Sequence, residues 1–375
     1  MEYVASYMDQ DIPVDVIFLD FQKAFDKVPH ARLLKKLEAF GIVGKVNKWI
    51  AEWLKCRKQR VVLNGAVSDW VDITSGVPQG SVLGPILFTI YINDLDSGIA
   101  SKILKFADDT KMLAKVGCDS DIQQLREDLS KLVQWSEDWQ MKFNVDKCKV
   151  MNFGSKNSDA KYVMNDKILG SVSEEKDLGI IVCNNLKVAK QCITASKKAN
   201  QILGMIGRTF SCKNKSIILK LYKSLVRPHL DYCSQVWRPH LVKDKECLEK
   251  VQKRATRMIE ECKGLSYEER LKLTRLTTLE TRRLRADMIE VYRILKSIDK
   301  VDPVKFFSRN LSDNLRGHSF KFFKKRFKLD VGKFCFSNRI CSEWNLLNDM
   351  TVNADSLNVF KGCLDHHLRF NRGLK

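Results

Sequence analysis

The sequence lacks the features of a membrane or secreted protein. No apolar run approaches the ~20 residues that a membrane helix needs. The first fifteen residues are acidic and contain neither the positive segment nor the apolar segment of a secretory signal. These absences predict an intracellular protein, in the nucleus, the cytoplasm or both, with no membrane as a partner.

Closely spaced cysteine pairs are also missing. The chain has 12 cysteines, but the nearest two, Cys335 and Cys341, are six positions apart. Without a secretory signal these thiols are expected to stay reduced. The absence of a Cys-x-x-Cys pair argues against a zinc finger.

Positive charge is present in excess, with 65 Lys and Arg against 45 Asp and Glu and a net charge of +20. Residues 1–110 hold 13 basic and 14 acidic side chains, whereas the remainder holds 52 and 31. This asymmetry is typical of a protein that binds a polyanion and holds metal ions with carboxylates. A soluble protein with a basic surface has the same balance, so the charge alone leaves both interpretations open.

Three carboxylates in the first third of the chain lie at the ends of predicted strands. The run VDVIFL, residues 14–19, predicts a buried strand that ends at Asp20. Asp108 and Asp109 lie between two short apolar segments, which predicts a hairpin with carboxylates at its turn. If these strands are neighbours, the three carboxylates converge at one sheet edge and repel one another unless cations neutralise them. The alternative is that Asp108 and Asp109 are only turn formers.

Hydrophobic periodicity and turn residues predict the other elements. Asn64-Gly65 suits a type I′ hairpin turn, and SGVPQGSVLGP (75–85) predicts a loop that leads into an apolar stretch. Apolar residues at helical spacing predict helices within the following stretches: 33–40, 46–54, 122–133 and 217–225, the last closed by Pro228. From about residue 186 onward the pattern is mostly helical and basic.

Aromatic and cationic side chains alternate near the C-terminus, in KFFKKRFK (321–328). Phe320, Phe322 and Phe323 among these cations predict stacking on single-stranded bases. A solvated amphipathic helix is the alternative interpretation.

Five short motifs follow one another along the chain: FLDFQKAFDKV (18–28), SGVPQGSVLGP (75–85), FADD (106–109), NVDKCKVMNFG (144–154) and DLGI (177–180). This succession resembles the palm motifs of reverse transcriptases, particularly those of non-LTR retrotransposons (LINEs). Later segments resemble the C-terminal part of the chicken-repeat clade of these elements: LYKSLVRPHLDYCSQVW (221–237), LEKVQKRATRMI (248–259) and the ending with FSNRICSEWNLL (336–347) and FKGCLDHHL (360–368).

The resemblance implies an α+β fold with a reverse-transcriptase palm, an antiparallel sheet backed by helices, over residues 1–184. A mostly helical thumb is expected over 185–300, followed by a basic C-terminal segment over 301–375. In this family a fingers subdomain and an endonuclease domain precede these parts. We therefore expect an N-terminally truncated chain with most of its fingers missing and weak activity in isolation.

The resemblance also implies a reaction. The chain would catalyse RNA-directed DNA synthesis, in which a primer 3′-hydroxyl attacks the α-phosphate of a deoxynucleoside triphosphate. Asp20, Asp108 and Asp109 would ligate two Mg²⁺ ions, with Mn²⁺ as an alternative, and Lys147 would protonate the leaving pyrophosphate.

Further roles are implied by position in the motifs. Phe25 would be a steric gate against the ribose 2′-hydroxyl, and Leu178 with Gly179 would form the primer grip. The other residues implied to bind the nucleotide are Phe21, Gln22, Lys23, Ala24, Gln79 and Gly80. The implied partners are an RNA template, a DNA primer and deoxynucleoside triphosphates. Two alternatives remain, a silent remnant that binds RNA or DNA without turnover and a basic scaffold that uses neither metal nor nucleotide.

Overall fold

The computed structural model describes residues 1–310 and 317–372. The chain forms two compact units, a sheet unit of Gln10–Leu178 and a helical unit of Met1–Asp9 with Gly179–Lys375. The domain boundaries predicted near 184 and 300 stay predictions. Residues 311–316 and 373–375 of the predicted C-terminal segment lie outside the described residues.

The sheet unit is built on five strands in the spatial order β5-β4-β1-β3-β2. Their bounds are β1 Val14–Leu19, β2 Lys102–Phe106, β3 Asp109–Lys115, β4 Lys149–Phe153 and β5 Gly170–Ser171. Strand β1 is antiparallel to both of its neighbours, β3 and β4, and β5 is parallel to β4. Because β1 is central and covered, nearly all of its side chains are buried, which confirms the predicted buried strand.

Helices supply the apolar partners of this sheet. Their bounds are Ala24–Lys27, His30–Ala39, Gly44–Leu54, Leu83–Tyr91 and Asp119–Asp138. The longest buries Ile122, Leu125, Leu129 and Leu132 at helical spacing, as its sequence predicts. The combination of a mainly antiparallel sheet with helices confirms the α+β prediction, although the short edge strand β5 is parallel to its neighbour. The predicted loop 75–85 is too long by three residues, since the apolar run is already helical from Leu83.

The sheet unit also contains the strand Glu174–Asp177 and three short two-stranded pairs: Lys58–Gln59 with Val71–Asp72, Val62–Leu63 with Ala66–Val67, and Val163–Met164 with Lys167–Ile168. Asn64 and Gly65 have φ values of 48° and 85° between the second pair of strands. Two consecutive positive φ values are those of a type I′ turn, so the predicted hairpin is confirmed.

The helical unit contains the following α-helices: Glu2–Asp9, Ala189–Thr209, Lys215–Leu221, Pro228–Asp231, Ser234–Trp237, Val242–Arg257, Tyr267–Thr274, Leu279–Leu295, Asp330–Lys333, Phe336–Arg339, Cys341–Asn345, Asp349–Val352 and Leu357–Arg372. Strand Ile180–Cys183 begins the unit's second segment, a π-helix spans Tyr222–Val226, and 3₁₀ turns span Glu260–Cys262 and Pro303–Lys305. The helix Leu279–Leu295 contributes to two apolar cores, one formed before it in the chain and one after it. None of the helices in the described ranges combines the length and the apolarity needed to cross a membrane.

The prediction that Pro228 closes a helix is wrong. Pro228 is instead the first residue of a further helical turn, where its missing N–H costs nothing. The π-helix just before it adds a residue to one turn and so rotates the buried face. As a result Val226 is fully buried, whereas Leu225, the last residue of the apolar pattern predicted over 217–225, is 43% exposed.

Both interpretations of the segment 321–328 fail for Phe322. No helix forms over these residues. The Phe322 ring is 2% exposed and stacks on Phe307 with ring centroids 4.4 Å apart. The side-chain amide of Asn345 accepts from the Phe322 N–H at 2.8 Å and donates to its carbonyl at 2.9 Å, which fixes this backbone in place. Phe322 is therefore a core residue and is closed to nucleic-acid bases, while Phe323 remains exposed.

The N-terminal helix Glu2–Asp9 is anchored to residues from the far end of the chain. The Leu329 N–H donates to Asp9 Oδ1 at 2.7 Å. The Ser337 N–H donates to Glu2 Oε1 at 2.8 Å. These bonds make the first nine residues part of the helical unit.

Candidate active site

The strand register brings Asp20 next to Asp109. Leu19 on β1 is paired with Thr110 on β3, so one further step along the antiparallel register sets Asp20 opposite Asp109. Directly opposed residues project from the same face of a sheet. Asp108 lies just before β3, in the turn that joins it to β2 and contains Ala107 with a φ of 52°. The structure thus brings Asp20 and Asp109 together, whereas Asp108 lies beside Asp109 in the turn and is not among the residues that line the cleft over this face.

A cleft of about 380 Å³ opens over this face of the sheet unit. Phe18, Asp20, Asp109 and Lys111 share the face by strand alternation, because they occupy every second position of β1 and β3. The remaining lining residues are Leu19, Thr110, Asp146, Lys147, Lys149, Glu175, Lys176 and Asp177. Asp20, Asp109 and Lys147 are the predicted catalytic residues among them.

The carboxylates of this cleft are only partly compensated by the lysines beside them. Asp20 Oδ2 is buried and accepts no hydrogen bond from the part of the chain that the structure describes. Partial burial, followed by the neighbouring charges of Asp108, Asp177 and Asp20, raises the pKa of Asp109, and only Lys111 opposes this shift. Like charges held together in this way are typical of sites that bind a cation.

A tight turn holds Lys147 against Asp20. The Asn144 N–H donates to the Asp20 carbonyl at 2.7 Å, and the N–H groups of Lys147 and Cys148 both donate back to the Asn144 carbonyl. The turn thereby sets Lys147 Nζ 3.4 Å from Asp20 Oδ2, with 68% of the lysine side chain exposed. The Cys148 thiol is buried under the same carbonyl of Asp20, and burial raises its pKa to about 11.

A second ion pair borders the cleft. Lys111 Nζ lies 2.5 Å from Asp177 Oδ2, and both side chains are largely buried. Sequence reasoning missed both residues as members of the site. The signal was available, because Lys111 is two positions after Asp109 on a predicted strand and Asp177 is the first letter of the quoted DLGI motif.

The glycine-rich loop is fastened to the turn that follows β1. The Gly76 N–H donates to the Val28 carbonyl at 2.8 Å, and the Val77 N–H donates to the Phe25 carbonyl at 2.7 Å. A Cβ on Gly76 would lie 2.7 Å from the backbone of Asp26, so only glycine permits this approach. The structure therefore brings the motifs at 18–28 and 75–85 together.

This contact decides where Phe25, Gln79 and Gly80 lie. The half-buried Phe25 ring stacks on Phe88 with ring centroids 4.6 Å apart. The Gln79 side-chain amide donates to Asp26 Oδ1 at 3.2 Å. Gly80 is exposed, and its φ of 82° is in the left-handed region. Phe25 and Gln79 thus take part in the loop-to-turn contact, whereas Gly80 lies beyond it in the exposed part of the loop.

The residues directly after Asp20 divide between core and surface. Phe21 and Ala24 are both 4% exposed, and the Phe21 ring stacks on Phe143 at 4.5 Å. Gln22 and Lys23 are exposed, and Lys23 has a φ of 48° before the one-turn helix Ala24–Lys27. The side chains of Phe21 and Ala24 are therefore closed to a ligand, which these two residues could contact only through their backbones.

Leu178 and Gly179, the predicted primer grip, follow strand Glu174–Asp177 and precede strand Ile180–Cys183. Both have positive φ, 44° and 83°. A Cβ on Gly179 would contact the Tyr232 ring at 3.3 Å. Their role as a primer grip stays a prediction.

The donor chemistry of the cleft fits a hard divalent cation. An unsatisfied buried carboxylate oxygen on Asp20, beside the raised pKa of Asp109, is the environment that Mg²⁺ would relieve. Within residues 1–310 and 317–372, however, no group of three or more His, Cys, Asp or Glu side chains is arranged to hold a metal ion. Metal ligation by Asp20, Asp108 and Asp109 accordingly stays a proposal.

The chain is similar in sequence to RNA-directed DNA polymerases of mobile elements. The RNA-directed DNA polymerase of the mobile element jockey from Drosophila funebris is 31% identical over 243 residues, which cover 60% of this chain and 26% of the relative. The probable RNA-directed DNA polymerase of transposon X-element from Drosophila melanogaster is 24% identical over 278 residues, covering 70% and 30%. The chain thus spans about a quarter of the jockey relatives that it matches.

Solved structures give a weaker likeness. Apo telomerase from Candida tropicalis covers 80% of this chain with 54% of its own, at 12% identity and a TM-score of 0.40. The family assignment rests instead on the sequence. Residues 12–205, more than half of the chain, match the family model described as "Reverse transcriptase (RNA-dependent DNA polymerase)". This range contains all five motifs and the whole cleft, and the chain belongs to the reverse transcriptase family.

Proposed function

We propose that the cleft of the sheet unit is the active site of an RNA-directed DNA polymerase. The reaction is attack of a primer 3′-hydroxyl on the α-phosphate of a deoxynucleoside triphosphate, which forms the O3′–P bond and releases pyrophosphate. The observation that carries this proposal is the meeting of Asp20 and Asp109 in one cleft with Lys147. Family membership supports the same chemistry.

Asp20, Asp108 and Asp109 would hold two Mg²⁺ ions, or Mn²⁺ in their place. When bound, such ions stabilise the charge on the attacking and leaving oxygens of an in-line displacement. The unsatisfied Asp20 Oδ2 and the mutual repulsion felt by Asp109 support this assignment. A cation would remove both unfavourable terms.

Lys147 would act on the leaving group. Its ammonium group lies beside Asp20 on a side chain that is free to extend, so it can donate a proton to the departing pyrophosphate. We expect Lys147→Gln to lower the extension rate roughly 100-fold, within the range for a lost general acid. Lys147→Arg, which keeps the charge but holds its proton more tightly, should lose most of the rate while retaining nucleotide affinity.

Phe25 would select deoxynucleotides. Its ring stacks on Phe88 and is held in place, so it would sterically block the position of a ribose 2′-hydroxyl. Other nucleotide contacts would come from the exposed side chains of Gln22, Lys23 and Gln79 and from the exposed backbone of Gly80. Phe21 and Ala24 would contribute only their backbones. We expect Phe25→Val to raise ribonucleotide incorporation relative to deoxynucleotide incorporation, while Phe88→Leu, which removes only the support, has a smaller effect.

The nucleic-acid partner would be an RNA template paired with a DNA primer. The strongly positive charge after residue 110 supports binding through phosphates, which is insensitive to sequence and weakens with salt. Leu178 and Gly179 would contact the primer. A plot of log affinity against log salt is expected to be linear with a negative slope, about −0.9 per phosphate neutralised on duplex DNA.

Primer extension tests the proposal directly. The full chain is incubated with an RNA template, an annealed DNA primer, Mg²⁺ and deoxynucleotides. Asp20→Asn and Asp108→Asn should each abolish extension. Asp146→Asn is the matched control, because Asp146 also borders the cleft but is paired with Lys167 and is not a predicted ligand.

Two outcomes decide against the proposal. Extension that survives in Asp20→Asn and Asp108→Asn would assign the chemistry elsewhere. No extension by the unmodified chain, with duplex still bound in a salt-dependent manner, would favour the alternative of a silent retroelement remnant that binds nucleic acid.

A further inference from the structure

The helical unit contains a pocket with an unusual charge. It lies between the helix Val242–Arg257 and the helix Tyr267–Thr274, with a volume of about 480 Å³. Ligand-binding pockets typically measure about 300–1,000 Å³. Four of its lining residues are cationic: Lys253, Arg257, Lys263 and Arg270. No Asp or Glu is among the described residues that line it.

Arg270 is the most buried of the four cations. It is only 4% exposed, yet its guanidinium forms no ion pair within the described part of the chain. Its Nη1 donates to the Lys253 carbonyl at 2.9 Å and to Thr256 Oγ1 at 3.1 Å, and its Nε donates to the Ser266 carbonyl. These bonds fix the planar group at the pocket without neutralising it. A buried cation with no counter-ion is costly unless a ligand supplies the charge.

The Tyr267 ring lies close to two of these cations, and its hydroxyl binds a carboxylate that does not line the pocket. Lys253 Nζ lies 5.2 Å from the ring centroid and the Arg270 guanidinium carbon 5.4 Å. The Tyr267 hydroxyl donates to Glu249. The Glu249 carboxylate also accepts from Gln252 and from the Leu279 N–H, so its charge is already engaged outside the pocket.

We propose that this pocket is an anion site that binds a phosphate group. Arg270 would donate to phosphate oxygens through Nη2, because its Nε and Nη1 already donate to protein acceptors, and such charge-assisted bonds from a guanidinium suit a phosphate. Lys253, Arg257 and Lys263 would add point charges around a multiply charged anion. Four cations exceed what a single carboxylate would neutralise, so a phosphate is the better match. The site is separate in sequence from the aspartates of the cleft and does not depend on the polymerase proposal.

Titration of the full chain with tripolyphosphate, followed by calorimetry at fixed ionic strength, tests the site. Because Arg270 is buried, its substitution also disturbs folding, so the primary variant is the exposed pair Arg257→Gln and Lys263→Gln. The matched control is Lys272→Gln with Arg275→Gln, which removes two exposed charges from the same region outside the pocket. We expect the pocket variant to bind about tenfold or more weakly and the control to stay within about twofold, since one charge-assisted bond accounts for at least about a factor of ten.

A second measurement identifies the source of the phosphate. Fluorescence anisotropy of a labelled RNA–DNA duplex is followed as tripolyphosphate is added. If tripolyphosphate displaces the duplex and the pocket variant weakens both ligands, the phosphate belongs to nucleic acid. If only tripolyphosphate binding is weakened, the ligand is a free polyphosphate. Either result supports the site. Equal tripolyphosphate affinity in the pocket variant and the control, or no binding by the unmodified chain, would overturn it.

Discussion

Lys111 and Asp177 form an ion pair of 2.5 Å at the border of the cleft, and the two residues act on Asp109 with opposite signs. The Asp177 carboxylate raises the pKa of Asp109, and the Lys111 ammonium lowers it. We therefore expect Asp177→Asn to lower the pKa of Asp109 and Lys111→Met to raise it further. A ¹³C NMR titration of the aspartate carboxyl groups measures both. Shifts of the Asp109 pKa in the same direction, or no shift in either variant, would contradict the opposite effects of Lys111 and Asp177.

Charge on Asp109 should cost stability. Because the folded-state pKa of Asp109 is raised, the native state binds more protons than the unfolded state between the two pKa values. The free energy of unfolding contributed by this group therefore falls as pH rises through that window. We expect Asp109→Asn to stabilise the fold at pH 7 by a few tenths of a kcal/mol, the scale of exposed charges, and not below about pH 4. Urea unfolding at the two pH values tests this.

Asp69→Asn is the control for that comparison, because Asp69 is an exposed loop residue away from the cleft. Its effect should be the same at both pH values. A loss of stability in Asp109→Asn at pH 7 would contradict the sign of the argument.

Gly76 and Gly80 allow the effect of a left-handed backbone on stability to be measured separately from the effect of close packing. Both have φ values in the left-handed region, 91° and 82°. A Cβ at Gly76 meets the Asp26 backbone at 2.7 Å, whereas a Cβ at Gly80 meets open space. We expect Gly80→Ala to cost about 1 kcal/mol of unfolding free energy. Gly76→Ala should cost clearly more and should also detach the loop that carries Gln79. Equal costs in thermal or urea unfolding would mean that the loop-to-turn contact is soft.

Cys148 should resist alkylation. Burial raises the pKa of its thiol to about 11, so little thiolate exists at pH 8. The exposed thiols of Cys56, Cys118 and Cys212 should react first with iodoacetamide. Mass spectrometry of the native chain measures the order. Labelling of Cys148 at the rate of Cys118 would show that the turn under Asp20 opens readily.

Asp287 should be essential for the stability of the helical unit. Its fully buried carboxylate accepts from Arg238 at 2.9 Å and from two nitrogens of Arg339 at 3.0 Å. Asp287→Ala would leave two cations without their partner, which costs roughly 3–5 kcal/mol for buried pairs. The control is Asp365→Ala, because Asp365 pairs with Arg285 of the same helix but is 44% exposed, and exposed pairs contribute about 0–1 kcal/mol. Similar losses in urea unfolding would refute the distinction.

The part of the fold that follows from local pattern could be predicted. The run Val14–Leu19 is apolar enough to specify a central strand, and Asn64-Gly65 can hardly form any turn but type I′. The location of the cleft also followed, because the motifs place carboxylates at a strand end and at a hairpin.

Features that depend on tertiary contacts could not be predicted. Asp15 lies in the middle of the buried strand, where the pattern gives no reason for a charge. Its carboxylate accepts from Tyr162, Asn157 and Asn152, which come from beyond position 150. Phe322 looked like an exposed aromatic among cations, and only its distant partners Phe307, Trp344 and Asn345 make it a core residue.

The anchoring of Glu2 and Asp9 to Ser337 and Leu329 has a consequence for the order in which the chain folds during synthesis. The sheet unit, residues 10–178, is continuous and has all of its own contacts once it leaves the ribosome. The helix Glu2–Asp9 is made well before its partners and must wait for more than 300 further residues before they exist. Closing so long a loop is slow, so this helix is expected to dock after the sheet unit that follows it in the chain has folded.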